Sequence, residues 1–119
     1  MKLAEIIAIV DDVRPNGYEK TIKTKWINEV EFKVVDEVLN RARGNDIEFT
    51  PYDYDADAER ELFVPEQFSD VYEHYLYSKI DNAQNEIDRY NNDVTMFQSA
   101  WNAYAGWYRR HHMPKAVMR

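Results

Sequence analysis

From Leu76 onward the apolar residues of this chain fall at Ile80, Ala83, Ile87, Tyr90, Val94, Phe97, Trp101, Tyr104 and Tyr108. The intervals alternate strictly between four and three, which is the spacing of a heptad seam. Tyr72 extends the series one step upstream. A chain with this pattern is committed to helix over most of its second half, with one ridge to bury. Two folds satisfy it. One is a single helix of about 45 residues, about 68 Å long at 1.5 Å per residue. The other is a helical hairpin broken at Asn91–Asp93, three poor helix formers in a row. Compactness favours the hairpin, because a helix that long needs neighbours along its whole length. Pro65 can open this region at a first helical turn, with Glu66 suited to the dipole there, and Pro114 closes it.

The first half reads as two further helices. Leu3, Ile6, Ile7 and Val10 stand at i, i+3, i+4 and i+7, so residues 2–12 form a short amphipathic helix that "RPNG" terminates. A second helix covers about 18–42. Its stripe is Ile22, Trp26, Val30, Val34 and Val38, widened by Ile27 and Leu39. Gly44 and Asn45 supply its stop. Residues 47–64 lose this period: Ile47 and Phe49, then Leu62 and Val64, alternate with polar neighbours. They predict a short β-hairpin or an extended loop. Between them Asp53, Asp55, Asp57, Glu59 and Glu61 occupy every second position, as in a solvent-facing acidic projection. The fold class expected is a mainly α domain of four to five helices over residues 1–113, with residues 114–119 as a flexible basic tail.

Charge is segregated along the chain. Residues 1–45 hold eight basic and eight acidic side chains, 46–93 hold three and fourteen, and 94–119 hold four and none, for a net charge of −7. Such asymmetry bears on partners more than on fold. A general nucleic-acid binder is basic over a whole face, and this chain is not. No stretch approaches the roughly 20 apolar residues that span a bilayer. The N-terminal "MKLAEIIAIVDD" lacks the form of a signal peptide, since Glu5 interrupts its short apolar run. The absence of cysteine removes disulfides and thiolate chemistry, and agrees with a reducing compartment.

Candidate chemistry is sparse. Counting a calcium loop from Asp53 puts Ala58 where glycine is required and Val64 where a bidentate glutamate is required. His111 and His112 are adjacent, not the i, i+4 pair that shares a helix face. Glu29 and Glu31 are two apart and face different ways. Asp70 and Glu73 have the right spacing for magnesium but lack a partner pair. The three glycines form no phosphate cradle, and Ser69, Ser78 and Ser99 sit in no nucleophile motif. Neither an enzyme nor a cofactor is expected. The rings Phe97, Trp101, Tyr104 and Tyr108 read first as core. Trp107 lies on another face, and an exposed ring flanked by Arg109 and Arg110 is a common interface anchor. The expected partner or oligomer interface is Trp101, Tyr104, Trp107, Tyr108, Arg109, Arg110, His112 and Lys115.

Several short segments carry a family resemblance. They are "DDVRPN" at Asp11–Asn16, "LFVP" at Leu62–Pro65, "KID" at Lys79–Asp81, "RYNN" at Arg89–Asn92, "MF" at Met96–Phe97, "WYRR" at Trp107–Arg110 and "HMP" at His112–Pro114. Spread over nearly the whole chain, they resemble the head–tail connector, or head-completion, proteins of tailed bacteriophages and Firmicute prophages. That resemblance implies a helical subunit that assembles with copies of itself as a ring beneath the portal protein. The ring extends the DNA channel and receives the next head–tail or tail-completion protein. It further implies a C-terminal tail that grips the portal, a place at the head–tail junction of the virion, and residence in the host cytoplasm during assembly. No catalytic residue, no membrane and no sequence-specific nucleic acid belongs to that role. The acids at 53–61 are then expected at the lumen or the tail-facing rim, where they would repel DNA phosphates. An alternative reading is a non-enzymatic adaptor that binds one partner through the aromatic face of residues 97–110.

Overall fold

The long apolar seam is folded back on itself. The computed structural model of the chain describes residues 1–115. Its α-helices are α1 (Leu3–Val13), α2 (Lys20–Glu37), α3 (Tyr54–Asp57), α4 (Asp70–Ala83) and α5 (Ile87–His111), with 3₁₀ turns at Leu39–Arg41 and Glu66–Phe68. The mainly α class is as expected. The domain measures 49 × 34 × 24 Å, too short for one helix spanning residues 66–112.

The reversal comes earlier than the expected Asn91–Asp93. It lies at Gln84–Glu86, where Asn85 adopts φ 57. Asn85 N donates to Asn82 O at 3.2 Å and Glu86 N to Asp81 O at 2.9 Å, the paired bonds of a Schellman cap. Asparagine is one of the few residues that enters this left-handed region at low cost. Asn91–Asp93 stay helical, and the Asp93 side chain turns inward. The unbroken heptad phase across the turn therefore has no structural meaning: Ile87 and Val94 are exposed. The two parts of the seam that do pack are Tyr72, Leu76 and Ile80 on α4 and Trp101 and Tyr104 on α5.

α4 is central, with α1, α2 and α5 all packed against it. α1 buries Leu3, Ile6, Ile7 and Val10 as its spacing required. α2 departs from the expected stripe. A strict four-residue row drifts about 40° per step on a 3.6-residue helix, so it cannot stay on one face. Ile22 is exposed and Trp26 half-buried, while Lys23, Ile27, Val30, Glu31 and Val34 face inward.

The expected β-hairpin does not form. The stretch 60–62 pairs with the N-terminus instead, through Leu3 N to Arg60 O and Leu62 N to Met1 O, both 3.0 Å, and an isolated bridge Lys2–Glu61. Residues 47–52 run as an extended strap beside α2, tied by asparagine side chains. Asn40 exchanges two bonds with Ile47 at 2.9 and 2.8 Å, and Asn28 exchanges two with Tyr52 at 3.1 and 2.8 Å. The partners that a second strand would offer are thus already supplied. The end of the chain is tied as well: Arg43 N donates to Met113 O and Lys115 N to Arg41 O, with a bridge Ala42–Pro114. So residues 114 and 115 do not behave as the expected free tail, and 116–119 lie outside the described residues.

At the centre Glu31 is fully buried. Its carboxylate accepts hydrogen bonds from Tyr72 Oη, from Tyr52 Oη at 2.7 Å and from Phe63 N at 3.0 Å. Tyr72 Oη in turn accepts from Val64 N at 2.9 Å. Burial pushes the Glu31 carboxyl up, and the three donors pull it back. Burial and the adjacent carboxylate push both tyrosine hydroxyls up, so they stay donors.

Substitutions at three positions test this description. Asn85→Ala should cost about 1 kcal/mol in urea unfolding, with Asn85→Gly neutral. Asn91→Ala, on the surface of α5, should be neutral or stabilising. Glu31→Ala should cost about 3 kcal/mol, because two tyrosine hydroxyls and a backbone N–H lose their acceptor, with Glu31→Gln milder.

Candidate functional site

The last three turns of α5 carry an interlocked set of rings. Trp101 and Tyr104 are buried, Tyr104 stands edge-on to Phe68 at 5.7 Å, and Trp107 packs on Phe68 at 5.2 Å. Burial pushes the Tyr104 hydroxyl up. Trp101 and Tyr104 therefore face the protein's own interior, and the partner interface expected of them does not rest on their rings. Trp107 is half-buried between Phe68 and His111, not the free anchor that its helix face suggested. Tyr108 is pinned by Asn45 Nδ2 at 2.8 Å and covered by the His112 ring, stacked at 3.7 Å.

Around these rings the basic side chains gather. Arg109, Arg110, His112 and Lys115, four of the residues expected at an interface, are exposed, together with His111. The pairing of 113–115 with 41–43 adds Arg41 and Arg43 to the same end of the molecule. Sequence reasoning missed these two. "RAR" stood beside Gly44, but a helix running to residue 42 gave no reason to bring it to the C-terminus. A recess of about 250 Å³ opens here, lined by Val38, Arg41, Ala42, Tyr108, Arg109, His112 and Pro114. Its floor is apolar, its rim is basic, and among the described residues no carboxylate lines it. Among the described residues no salt bridge engages Arg41, Arg43, Arg109, Arg110 or Lys115. Such a surface can seat an apolar side chain and hold a carboxylate at its mouth.

The acidic run is less free than its alternation suggested. Glu61 binds the N-terminal ammonium at 2.7 Å, Glu59 binds Lys2 at 3.0 Å, and Asp57 accepts Asp53 N at 2.9 Å and approaches Arg60 at 3.5 Å. The ammonium pulls the Glu61 carboxyl down, and Glu59 raises Lys2. Asp53 and Asp55 remain at the surface without an ion pair among the described residues. This is a locally neutralised loop around the one-turn α3, not a projecting acidic arm.

A second titratable cluster lies at the opposite end, by the α4–α5 turn. Two of the quoted segments, "DDVRPN" and "KID", meet there through Arg14 and Asp81, joined by Asp93, which directly follows "RYNN". Arg14 binds Asp81 and approaches Asp93 at 3.5 Å, and its guanidinium lies 4.7 Å from the Tyr77 ring centre. Both carboxyls are buried, and Asp81 Oδ1 has no partner among the described residues. Asp93 is pushed up to about 7, first by burial and then by Asp81, with Arg14 opposing. A proton on Asp93 gives Asp81 a donor. The cluster ties α1 to the hairpin.

The other candidate carboxylates do not converge. Glu31 is in the core, Glu29 is held at the surface by Tyr75 Oη at 2.6 Å and Lys79 at 3.4 Å, and Glu73 accepts from Ser69 Oγ at 3.0 Å. Among the described residues no group of three or more His, Asp or Glu is placed to hold a metal ion, and no helix is long and apolar enough to cross a membrane. Comparison with known proteins gives no match to a family model, to a curated protein or to a solved structure.

The acid pair has a measurable sign. Asp93 sits above its usual 3.8, so the folded state holds a proton that the unfolded state releases. Its contribution is complete below 3.8 and is lost as pH rises to about 7. Thermal unfolding should therefore shift to lower temperature across that window. Asp93→Asn should flatten the shift and raise the melting temperature at alkaline pH. An unchanged slope would remove Asp93 from the account.

Proposed function

We propose that this chain is a non-enzymatic assembly protein that docks through its basic end, of the head–tail connector kind that its segments resemble. The observation that carries the reading is the end built by 41–43 and 108–115. It combines an apolar recess and a rim of Arg41, Arg109 and His112, with no carboxylate lining it among the described residues. The rest of the chain carries the acidic surplus, so the basic end complements acidic surface elsewhere, on a neighbouring copy or on a portal. Association of one surface with a different one gives rings when the rotation closes. Assembly as a ring under the portal, contact with the next tail-completion protein and a place at the head–tail junction are all parts of this proposal. The adaptor reading through the 97–110 rings has less support, since Trp101 and Tyr104 pack inward and Phe97 is half-buried against Tyr75.

The test is light scattering of the chain alone over a concentration series, and with the portal protein of the same genome. A defined complex is expected. Added salt should weaken the native complex, and Arg109→Glu with Arg110→Glu should weaken it about tenfold or more and flatten that salt dependence, while helical circular dichroism stays unchanged. A chain that stays monomeric at every concentration and ignores the portal would overturn the proposal.

A further inference from the structure

The recess at the basic end is built before anything enters it. One wall is the junction after α2, with Val38, Arg41 and Ala42. The other is the end of α5, with Tyr108, Arg109 and His112, and Pro114 beyond it. Backbone bonds join the walls on both sides of Pro114: Arg43 N donates to Met113 O at 2.7 Å and Lys115 N to Arg41 O at 2.9 Å. Asn45 Nδ2 joins them again, to Leu39 O and Tyr108 Oη, both at 2.8 Å. A site held in this way loses little freedom when a ligand arrives.

Its chemistry comes in two parts. Val38 and Ala42 are buried, and the Tyr108 ring, covered by His112, completes an apolar interior of about 250 Å³. An apolar cavity of about 150 Å³ holds a benzene ring. The space therefore suits one large side chain and the backbone atoms that carry it. At the mouth stand Arg41 and Arg109, both exposed and without an ion pair among the described residues. Arg41 Nε donates to Asp36 O at 3.2 Å, which holds that guanidinium by its inner nitrogen and leaves the two terminal ones for a ligand. A helix end disfavours anions through its unpaired carbonyls. Here His111 Nδ1 and His112 Nδ1 donate to Trp107 O and Tyr108 O at 2.7 and 2.8 Å, so those two carbonyls are already taken.

We infer that the recess captures the C-terminal residue of a partner chain, with its apolar side chain inside and its α-carboxylate between Arg41 and Arg109. The reason is connectivity. An aspartate or glutamate carries its carboxylate on its own side chain, and in an extended segment the side chain of the next residue points the other way. Only a chain terminus joins an apolar side chain and a carboxylate at one carbon. A guanidinium fork pairs with a carboxylate through two parallel bonds, which gives direction as well as charge. Capture of a terminal carboxylate is a recurring mode of peptide recognition. The inference rests on the reading of this end as a docking surface and names the part of the partner that it holds.

The probe is the acetylated tetrapeptide Gly-Ser-Gly-Leu with a free C-terminal carboxylate, titrated into the full chain to about 10 mM and followed by amide chemical shifts. Saturable shifts are expected at Ala42 and Arg109. The C-terminal amide of the same peptide should bind at least about tenfold more weakly, and so should a peptide ending in serine. Arg41→Gln and Arg109→Gln should each weaken binding about tenfold with the melting temperature unchanged, whereas Arg43→Gln, outside the recess, should not weaken it. Equal binding of acid and amide, equal binding of a Gly-Glu-Leu-Gly amide whose carboxylate lies within the chain, or no binding would each overturn the inference. The docking reading is judged separately by the complex with the portal: if that complex forms while the peptides fail, this inference alone is removed.

Discussion

A single buried carboxylate organises this domain. Glu31 projects from the middle of α2 into space that would otherwise be apolar, and three donors from three different stretches converge on it. Taking a carboxylate out of water is costly unless its oxygens are fully paired. That condition admits one register of α2 against α4, with residues 52 and 63 brought to fixed places. The Tyr72 hydroxyl passes the constraint on by accepting Val64 N. α4, so positioned, is the surface on which α1 and α5 pack. The strap, the N-terminal pairing and the hairpin are all arranged around an anion that no apolar contact could replace without leaving its donors stranded.

The structure separates what the rings do from what the charges do. Phe97, Trp101, Tyr104 and Phe68 close the core along α5, and the last turn of that helix leaves Arg109 and Arg110 at the surface. Arginines at the C-terminal end of α5 also sit where a helix dipole favours positive charge, so the basic end costs the fold little. The acidic loop follows a different logic. Its carboxylates are largely taken up by the N-terminus, Lys2 and the one-turn α3, which removes most of the repulsive field that a bare alternation of acids would produce.

How much of this was legible depends on the kind of residue involved. α1 could be read completely, because four aliphatic residues at i, i+3, i+4 and i+7 have no other economical use. Helix over the second half was equally clear, but the turn was misplaced. Helix propensity pointed to Asn91–Asp93, whereas the decisive property was the tolerance of Asn85 for a left-handed backbone. A one-residue conformational allowance leaves a fainter trace than three weak helix formers. Glu31, Lys23, Asp81 and Asp93 were illegible for a common reason: a charged residue in a helical pattern reads as solvent-facing unless its distant partners are known. Arg14 meets Asp81 and Asp93 from 67 and 79 residues away. The basic end was half legible, since Arg109, Arg110, His112 and Lys115 are close in sequence while Arg41 and Arg43 arrive only through the tertiary pairing.

The three tryptophans stand in three unlike settings. Trp26 is edge-on to Tyr18 at 5.6 Å, Trp101 lies under the Lys33 ammonium at 4.8 Å, and Trp107 rests 5.3 Å from the His111 imidazole. Of the three indoles only Trp107 stands at the basic end, so it is the one whose surroundings change when anything seats against that surface.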